Sequence, residues 1–313
     1  MEEKYEIMQL IQNKQLLEQK LSTLIYGTAE IREKGNNKYL YVHYRENGIV
    51  LTKYVGEYSD DLYNLILNNS AEAKQIKKDI RDISKRLKEL NYVEEDLEEV
   101  VKVNIDFAKR HLVDTIYKQA KLEGIATTFA DTESIIQGGK VNDMTSEDVM
   151  KIINLKHAWE FILNKNVIQS PTNYALLCEI NKLVQEGFYY SAGKIRTTPV
   201  SIGGTTWKPE LPIESDIKEE LEEILNSNLK TMDKAIEILL YITKKQIFID
   251  GNKRTAVIFA NHYLISNGSG IIVIPSEKIE EFKTLLINYY EGKDEKKIRT
   301  FLKKECCMNI KVG

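Results

Sequence analysis

Residues 246–254 read Gln246-Ile247-Phe248-Ile249-Asp250-Gly251-Asn252-Lys253-Arg254, and this stretch constrains the fold more than any other. An apolar helical pattern, Ala235 to Ile242, runs straight into it, and a second helix opens at Lys253-Arg254 and stops near Asn267-Gly268. The peptide N–H groups at that helix start point outward with the positive end of its dipole, a ready site for an anion. Asp250 is a hard oxygen donor suited to Mg²⁺, and Arg254 carries the planar fork that fits phosphate oxygens. Gln246 offers hydrogen bonds but does not titrate near neutral pH.

Composition sets outer bounds. The chain has 313 residues, 42% hydrophobic and 29% charged, with formal net charge −3. That is long for one compact domain and comfortable for two, and it describes an ordinary soluble protein. The near-neutral balance argues against a nucleic-acid binder driven by bulk charge. Lys74, Lys77, Lys78, Arg81, Lys85, Arg86 and Lys88 are interleaved with Asp79, Asp82 and Glu89, the pattern of a solvated helix face. No apolar stretch is long enough to cross a bilayer, and the first residues lack a secretory pattern, so a cytoplasmic protein without a membrane partner is expected. Cys178 and the adjacent Cys306-Cys307 form neither a disulfide framework nor a zinc spacing and read as packing residues.

The expected organisation is an N-terminal arm over residues 1–100, a core over 101–305 and a tail over 306–313. In the arm, Leu10, Leu17, Leu21 and Leu24 have heptad-like spacing interrupted by Lys14, and Ile76, Ile80, Ile83, Leu87 and Leu90 repeat it more cleanly. Between these two helices, Tyr39 to Tyr44 and Ile49 to Val55 flank Glu46-Asn47-Gly48, a hairpin signal spanning about residues 38–56. Such an arm serves either to bind a partner or to pack on the core.

From residue 100 the pattern is helical. Residues 105–122 and 146–164 carry apolar residues at three and four spacing, Ser170-Pro171-Thr172 opens a helix, and Ser215-Asp216 opens another. Ile271 to Ile274 is a short apolar run, and Ser276 is the expected cap of a final helical region reaching about Lys304. Between Gly193 and Pro209, Thr, Val and Ile alternate with small residues and Gly203-Gly204 permits a tight turn, which predicts a two-stranded flap.

The 246–254 segment resembles the signature of the Fic/Doc (Fido) family, His-x-Phe-x-Asp-Gly-Asn-Gly/Lys-Arg, at every position but the first. The 193–209 segment resembles the Fic flap, where Gly-x-x-Arg-x-x-x-Val precedes Ile-Gly-Gly, here Gly193, Arg196, Val200, Gly203 and Gly204. Leu122-Glu123-Gly124-Ile125-Ala126-Thr127-Thr128 resembles the segment of autoinhibited Fic proteins, with Gln119 at its Ser/Thr position. The three motifs span roughly residues 100–305 in the family's order. The fold implied is mainly α: a Fic-type helical bundle with a β-hairpin flap, preceded by a helical arm with a small antiparallel β element.

The resemblance further implies ATP and Mg²⁺ as cofactors, and AMPylation, the transfer of AMP from ATP to a protein hydroxyl by a nucleotidyltransferase. A protein target would dock by adding a strand at the flap. Gln246 would stand at the general-base position, Phe248 beside it, and Asp250 on the metal. Asn252 with the Gly251 backbone, Lys253 and Arg254 would face the phosphates. Glu123, with Gly124 after it, would be the autoinhibitory carboxylate. Two departures matter. Gln246 cannot take a proton, so transfer is expected to be weak or lost. Val257 fills the position of a second signature Arg, so Glu123 is left to pair with Arg254 or to be an ordinary helix-end carboxylate.

His262 cannot replace the base, because eight residues along the same helix put it roughly 12 Å beyond Arg254. His43, His111 and His157 have no motif around them. Three readings remain open: a feeble AMP or phosphate transferase, a non-catalytic protein that senses nucleotide or occupies a target, and a hydrolase in which Gln246 orients a water and Glu123 activates it. The Lys253-Arg254-Thr255-Ala256 continuation is closer to Doc, a phosphotransferase and a toxin–antitoxin component, than to AMP-transferring Fic enzymes. Homo-oligomerisation is left open.

Overall fold

A computed structural model describes residues 2–35, 37–46, 49–90, 92 and 97–308. The chain divides into two compact units, Met1–Glu95 and Asp96–Gly313. The first contains helix α1 (Glu2–Thr23), strands β1 (Thr28–Lys34), β2 (Asn37–Glu46) and β3 (Ile49–Glu57), and helix α2 (Asp60–Glu89). The strands form an antiparallel meander, β1-β2-β3. The β2–β3 register closes at Glu46↔Ile49, as the hairpin signal required, although Asn47 and Gly48 themselves lie outside the described residues. Strand β1 has no counterpart in the sequence reading. Its Thr-Ala-Glu-Ile-Arg-Glu-Lys alternates charge with few apolar groups and sits mostly exposed at the sheet edge, so burial leaves no strand signature on it.

Leu40 and Val42 point from the sheet onto Ile66 of α2, with Leu62 and Tyr63 packed around them. Ser59 caps α2 by accepting from the Leu62 N–H.

The second unit is built around one helix. α11 (Asn252–Ser266) is buried on nearly every face, from Asn252 to Ile265, and a helix buried all round must satisfy its polar residues internally. Asn261 does so by donating to Val257 O and Ile272 O and accepting from Ile272 N, which fixes the short strand β4 (Ile271–Ile272) beside it. His262 lies against Val167 O through Nε2 (2.8 Å) and Thr172 Oγ1 through Nδ1 (3.0 Å).

Against α11 lie α3 (Glu99–Arg110), α4 (Leu112–Leu122), α6 (Ser146–Ile162), α7 (Lys165–Ile168), α8 (Tyr174–Val184) and α10 (Thr231–Lys245), while α5 (Phe129–Ile136) packs on α4 and α6, and α9 (Glu214–Asn226) on α8 and α10. A 3₁₀ turn (Ser276–Lys278), α12 (Ile279–Tyr290), α13 (Glu295–Phe301), a π turn (Leu302–Cys306) and β5 (Cys307–Met308), which pairs with β4, complete it.

Several expected boundaries shift. The 105–122 pattern breaks at His111, whose ring lies against Phe107 O, so α3 and α4 are separate. α8 is capped by Asn173 rather than opened by Ser170, and α9 starts at Glu214 without a side-chain cap. Ser276 does not cap: its hydroxyl is buried without a hydrogen bond, and the following helix breaks at Gly292–Asp294. Cys307 and Met308, expected in a tail, form β5, while residues 309–313 lie outside the described residues. Burial pushes the Cys178 and Cys307 thiols up to about 11 and Cys306 up to about 12, so none is an activated thiolate. Among the described residues no helix is long and apolar enough to cross a membrane.

Burial presses the His262 imidazole down to about 4. A histidine with a depressed pKa takes up a proton more readily when unfolded, so its contribution is complete above about 6.5 and fades as pH falls toward 4. Wild type should therefore lose about 3 kcal/mol more stability than His262→Gln between pH 7 and 4, read from urea unfolding midpoints.

Candidate functional site

α10 ends at Gln246, which takes a left-handed conformation (φ 48°, ψ 61°) and reverses the chain toward α11. Its amide is engaged at both ends. Nε2 donates to Thr243 O (2.7 Å), and Oε1 accepts from Asn252 Nδ2 (3.1 Å). Asn252 clasps the loop from the other side, accepting from Phe248 N (2.9 Å) and donating to Phe248 O (2.8 Å), while the Phe248 ring is buried as an apolar anchor. The Asn252 side chain, expected on phosphate, thus spends its hydrogen bonds on the loop, and the outward N–H groups of the helix start are what remain for an anion.

Asp250 accepts through Oδ2 from Gln185 Nε2 (3.0 Å) and Arg254 Nη2 (3.1 Å), and about half of its side chain is exposed. Its backbone carbonyl accepts from Asn181 Nδ2 (3.1 Å). Asn181 and Gln185, one turn apart at α8, are functional supports that the sequence reading missed. Their signal was there: two amides on a helix whose other buried positions, Leu177, Ile180 and Val184, are apolar. Gly251, the N-cap of α11, has φ 77°, and a Cβ there would stand 2.4 Å from Gln185 Nε2.

Arg254 is 2% exposed. Its Nε lies 3.3 Å from Glu123 Oε2, and Lys253 Nζ lies 3.4 Å from Glu123 Oε1. These are ion pairs at distances and angles that make no hydrogen bond, so Arg254 Nε and Nη1 and Glu123 Oε1 are buried without hydrogen-bond partners. Of the two roles left open for Glu123, the structure gives the pairing with Arg254. Glu123 sits at the C-cap of α4, and Gly124 follows with φ 82°. Gln119, one turn earlier, donates to Arg254 O (2.9 Å) and accepts from Trp159 Nε1 (2.9 Å), which locks α4 and α6 to the first turn of α11. Val257 lines a small gap with Leu122, Val273, Ile274 and Lys118, whose ammonium is paired with Asp114, and Val257 itself brings no charge to it.

The 193–209 segment takes a different form from the two strands expected: among the described residues it contains none. Buried Arg196 supplies the reason. Its N–H donates to Ile247 O (3.0 Å), Nε to Gln246 O (2.5 Å), Nη1 to Thr198 O (2.9 Å) and Nη2 to Glu210 O, so the start of the segment is tied to the 246–247 loop and to Glu210 instead of to a partner strand. Gly193 N donates to Asn181 Oδ1 (2.9 Å). Further along, Val200 is half-buried and Gly203 exposed, Gly204 (φ 84°) passes over Ile287, and Trp207 stacks on Tyr290 (5.5 Å, 20°).

The cluster therefore holds two cations, Lys253 and Arg254, and two carboxylates, Glu123 and Asp250, at the positive end of a buried helix. Among the described residues no three His, Cys, Asp or Glu side chains gather to hold a metal. Mg²⁺ needs no such cage where substrate phosphates complete its shell, and half-exposed Asp250 fits the role of its one protein carboxylate.

Residues 171–264 match the model of the Fic/DOC family, and residues 7–64 match a family described as a domain of unknown function, DUF6788. No curated protein matches the chain. Among solved structures it is similar to Fic-1 (aa134–508) from C. elegans, at 18% identity over 78% of this chain and 74% of that one, TM-score 0.53. A Fic domain containing signaling protein from Bacteroides thetaiotaomicron VPI-5482 matches at 19% identity over 62% of this chain and 76% of that one, TM-score 0.51. A Fic family protein from Desulfovibrio desulfuricans G20 matches at 13% identity over 67% and 72%, TM-score 0.50. Residues 171–264 thus match a Fic/DOC family domain, and the mainly helical fold resembles those Fic structures.

Gly251→Ala should cost about 1–3 kcal/mol of stability, because the left-handed backbone is strained by a side chain and the new methyl displaces the amide that holds Asp250. Thermal unfolding measures it. Gly203→Ala is the control: a methyl there meets open space, and the midpoint should barely move.

Proposed function

We propose that this is a Fic-type nucleotide-binding protein of AMP-transferase descent, in which the phosphate site is retained, transfer is weak or lost, and Glu123 restrains the site. The observation that carries this reading is Arg254: a guanidinium buried to 2% exposure with two nitrogens lacking hydrogen-bond partners, at the start of a helix. A buried cation left short of acceptors is costly, and phosphate oxygens are the acceptors that its fork and the adjacent N–H groups suit. ATP would bring them, with Mg²⁺ held by Asp250. Lys253 lies one residue before Arg254, and its pairing with Glu123 would be exchanged for the ligand in the same way.

Transfer requires a hydroxyl oxygen to attack the α-phosphorus while the bond to pyrophosphate breaks and the hydroxyl proton leaves. Gln246 has no basic atom to receive that proton, and its amide is already committed to Thr243 and Asn252. The same commitment weighs against the hydrolase reading, which needs the Gln246 amide free to orient a water and the Glu123 carboxylate free of Lys253 and Arg254. Buried Arg196 braces the flap base to Gln246 and Ile247, which leaves the backbone of the exposed stretch around Gly203 for a protein target.

Two measurements test this. In calorimetric titration with Mg²⁺–ATP, wild type should bind and Glu123→Ala should bind about tenfold more tightly, since a ligand no longer displaces a carboxylate from Arg254. In labelling of host lysate, Gln246→His should transfer label from α-³²P-ATP at a rate about 10²- to 10⁴-fold above wild type. Label from γ-³²P-ATP alone would instead make it a Doc-like phosphotransferase. Absence of nucleotide binding by both wild type and Glu123→Ala would remove the proposal.

A further inference from the structure

In the first unit a cleft of about 780 Å³ opens between α2 and the end of the sheet. Lys74, Lys77 and Arg81, spaced along α2, line it together with Tyr26, His43 and Tyr44, and none of the described residues that line it is acidic. The interleaved acids of α2 do not neutralise these cations: among the described residues none of the three forms an ion pair. Lys77 Nζ instead lies 4.5 Å from the centroid of the Tyr26 ring, and Arg81 Nε donates to Lys77 O. The solvated-face pattern of the sequence is thus divided by the structure, with Arg86 paired to Glu6 and Glu89 and these three left uncompensated around a concavity.

The sheet adds a second, independent feature. On the face opposite Leu40 and Val42, Tyr39, Tyr41 and His43 follow one another at alternate positions of β2, with Tyr54 of β3 opposite Tyr41. The Tyr41–Tyr54 and Tyr39–Tyr54 ring centroids are 5.4 and 6.2 Å apart, and the Arg32 guanidinium lies 4.5 Å over the Tyr41 ring. Half of Tyr54 is exposed. Two carboxylates share this face: Glu57, opposite Tyr39, and Glu30, which is held by Arg32 and His43, and these keep its carboxyl below the usual carboxylate range. His43 belongs to both features, the last ring of the tyrosine row and a wall of the cleft.

We propose that the first unit binds single-stranded nucleic acid, with bases stacked on Tyr39, Tyr41 and Tyr54 and the phosphate backbone led round the end of the sheet at His43 onto Lys74, Lys77 and Arg81 of the helix behind it. Aromatic rings on an open sheet face and a track of unpaired cations reached round its end are the two elements such binding needs: stacking tolerates any base, and the cations neutralise the backbone. A duplex keeps its bases stacked inward and gains nothing from the tyrosines. A free phosphate or polyphosphate gains nothing from them either. The proposal is independent of the nucleotide site of the second unit.

The test uses the full chain and fluorescence anisotropy with labelled oligo-U and oligo-dT. Wild type should bind at least one of them. The Lys74→Gln/Lys77→Gln/Arg81→Gln variant should bind more weakly, with the slope of log K against log salt reduced by about 2, since each single-strand phosphate contact contributes about 0.7. Tyr41→Ala/Tyr54→Ala should lose about tenfold or more while keeping the wild-type salt slope, and Tyr41→Phe/Tyr54→Phe should restore binding, which separates stacking from folding. No binding at low salt would overturn the proposal. So would blunt duplex or polyphosphate competing as well as single strands, or alanine variants that bind as wild type does.

Discussion

Burying Arg254 in the first turn of a helix that is itself buried sets the conditions for everything around it. A guanidinium taken out of water must be met by charge and by hydrogen bonds, and α11 lies too deep for solvent to supply either. Asp250 answers from the loop before the helix and Glu123 from the end of α4, while Gln119 fixes the Arg254 carbonyl and so the position of the turn. The arrangement remains short of acceptors on Nε and Nη1. The elements that hold the core together are therefore the same ones that leave this cation short of acceptors, and under the proposed function stability and ligand binding are coupled through one side chain. Removing Glu123 should free the cation for phosphate and leave it less compensated in the absence of ligand, so affinity and stability are expected to move in opposite directions.

Gln246 holds the architecture of the loop without a titrating group. A neutral imidazole has one N–H donor and one lone-pair acceptor, and a primary amide can fill both roles. At position 246 the amide donates to Thr243 O and accepts from Asn252, so the hydrogen bonding that shapes the loop is complete without a titrating group. Asn252 and Arg196 then hold the backbone on either side. The geometry of the loop therefore does not depend on a base being present.

The sequence carried the helical core and the loop because both have local signatures: apolar residues at helical spacing for α6 and α8, an apolar run for α10, the Asn267-Gly268 stop for α11, and fixed residue types at fixed spacing for 246–254. For His262 it carried only the distance along the helix; the burial against Val167 and Thr172 is visible in the structure alone. What it did not carry is set by long-range partners. Asn181 and Gln185 act on Asp250 across a gap of 65 residues or more, and although two amides among apolar buried positions mark them as engaged, nothing local names their partner. The flap was read as two strands from its β-branched residues, yet Arg196 ties the segment to Thr198, Glu210 and the Gln246 loop, so tertiary hydrogen bonding overrode propensity. Strand β1, an edge strand with alternating charge, has no hydrophobic rhythm to detect.

Net charge is a property of the whole chain, whereas a polyanion feels only the charges within about a Debye length, roughly 8–10 Å at ordinary salt. A formal charge of −3 therefore restricts long-range attraction but says little about a cleft whose lining is cationic. On α2 the acidic partners of the lysine and arginine run are adjacent in sequence, yet a helix distributes neighbours around its circumference, with about 100° between successive residues. Asp79 takes up Gln75, Arg86 takes up Glu6 and Glu89, and Lys74, Lys77 and Arg81 share the remaining side. Charge that averages to nothing along a sequence can thus be sorted by helical geometry into a local field, and the tyrosines of the neighbouring sheet give that field a surface on which flat, unpaired bases can rest.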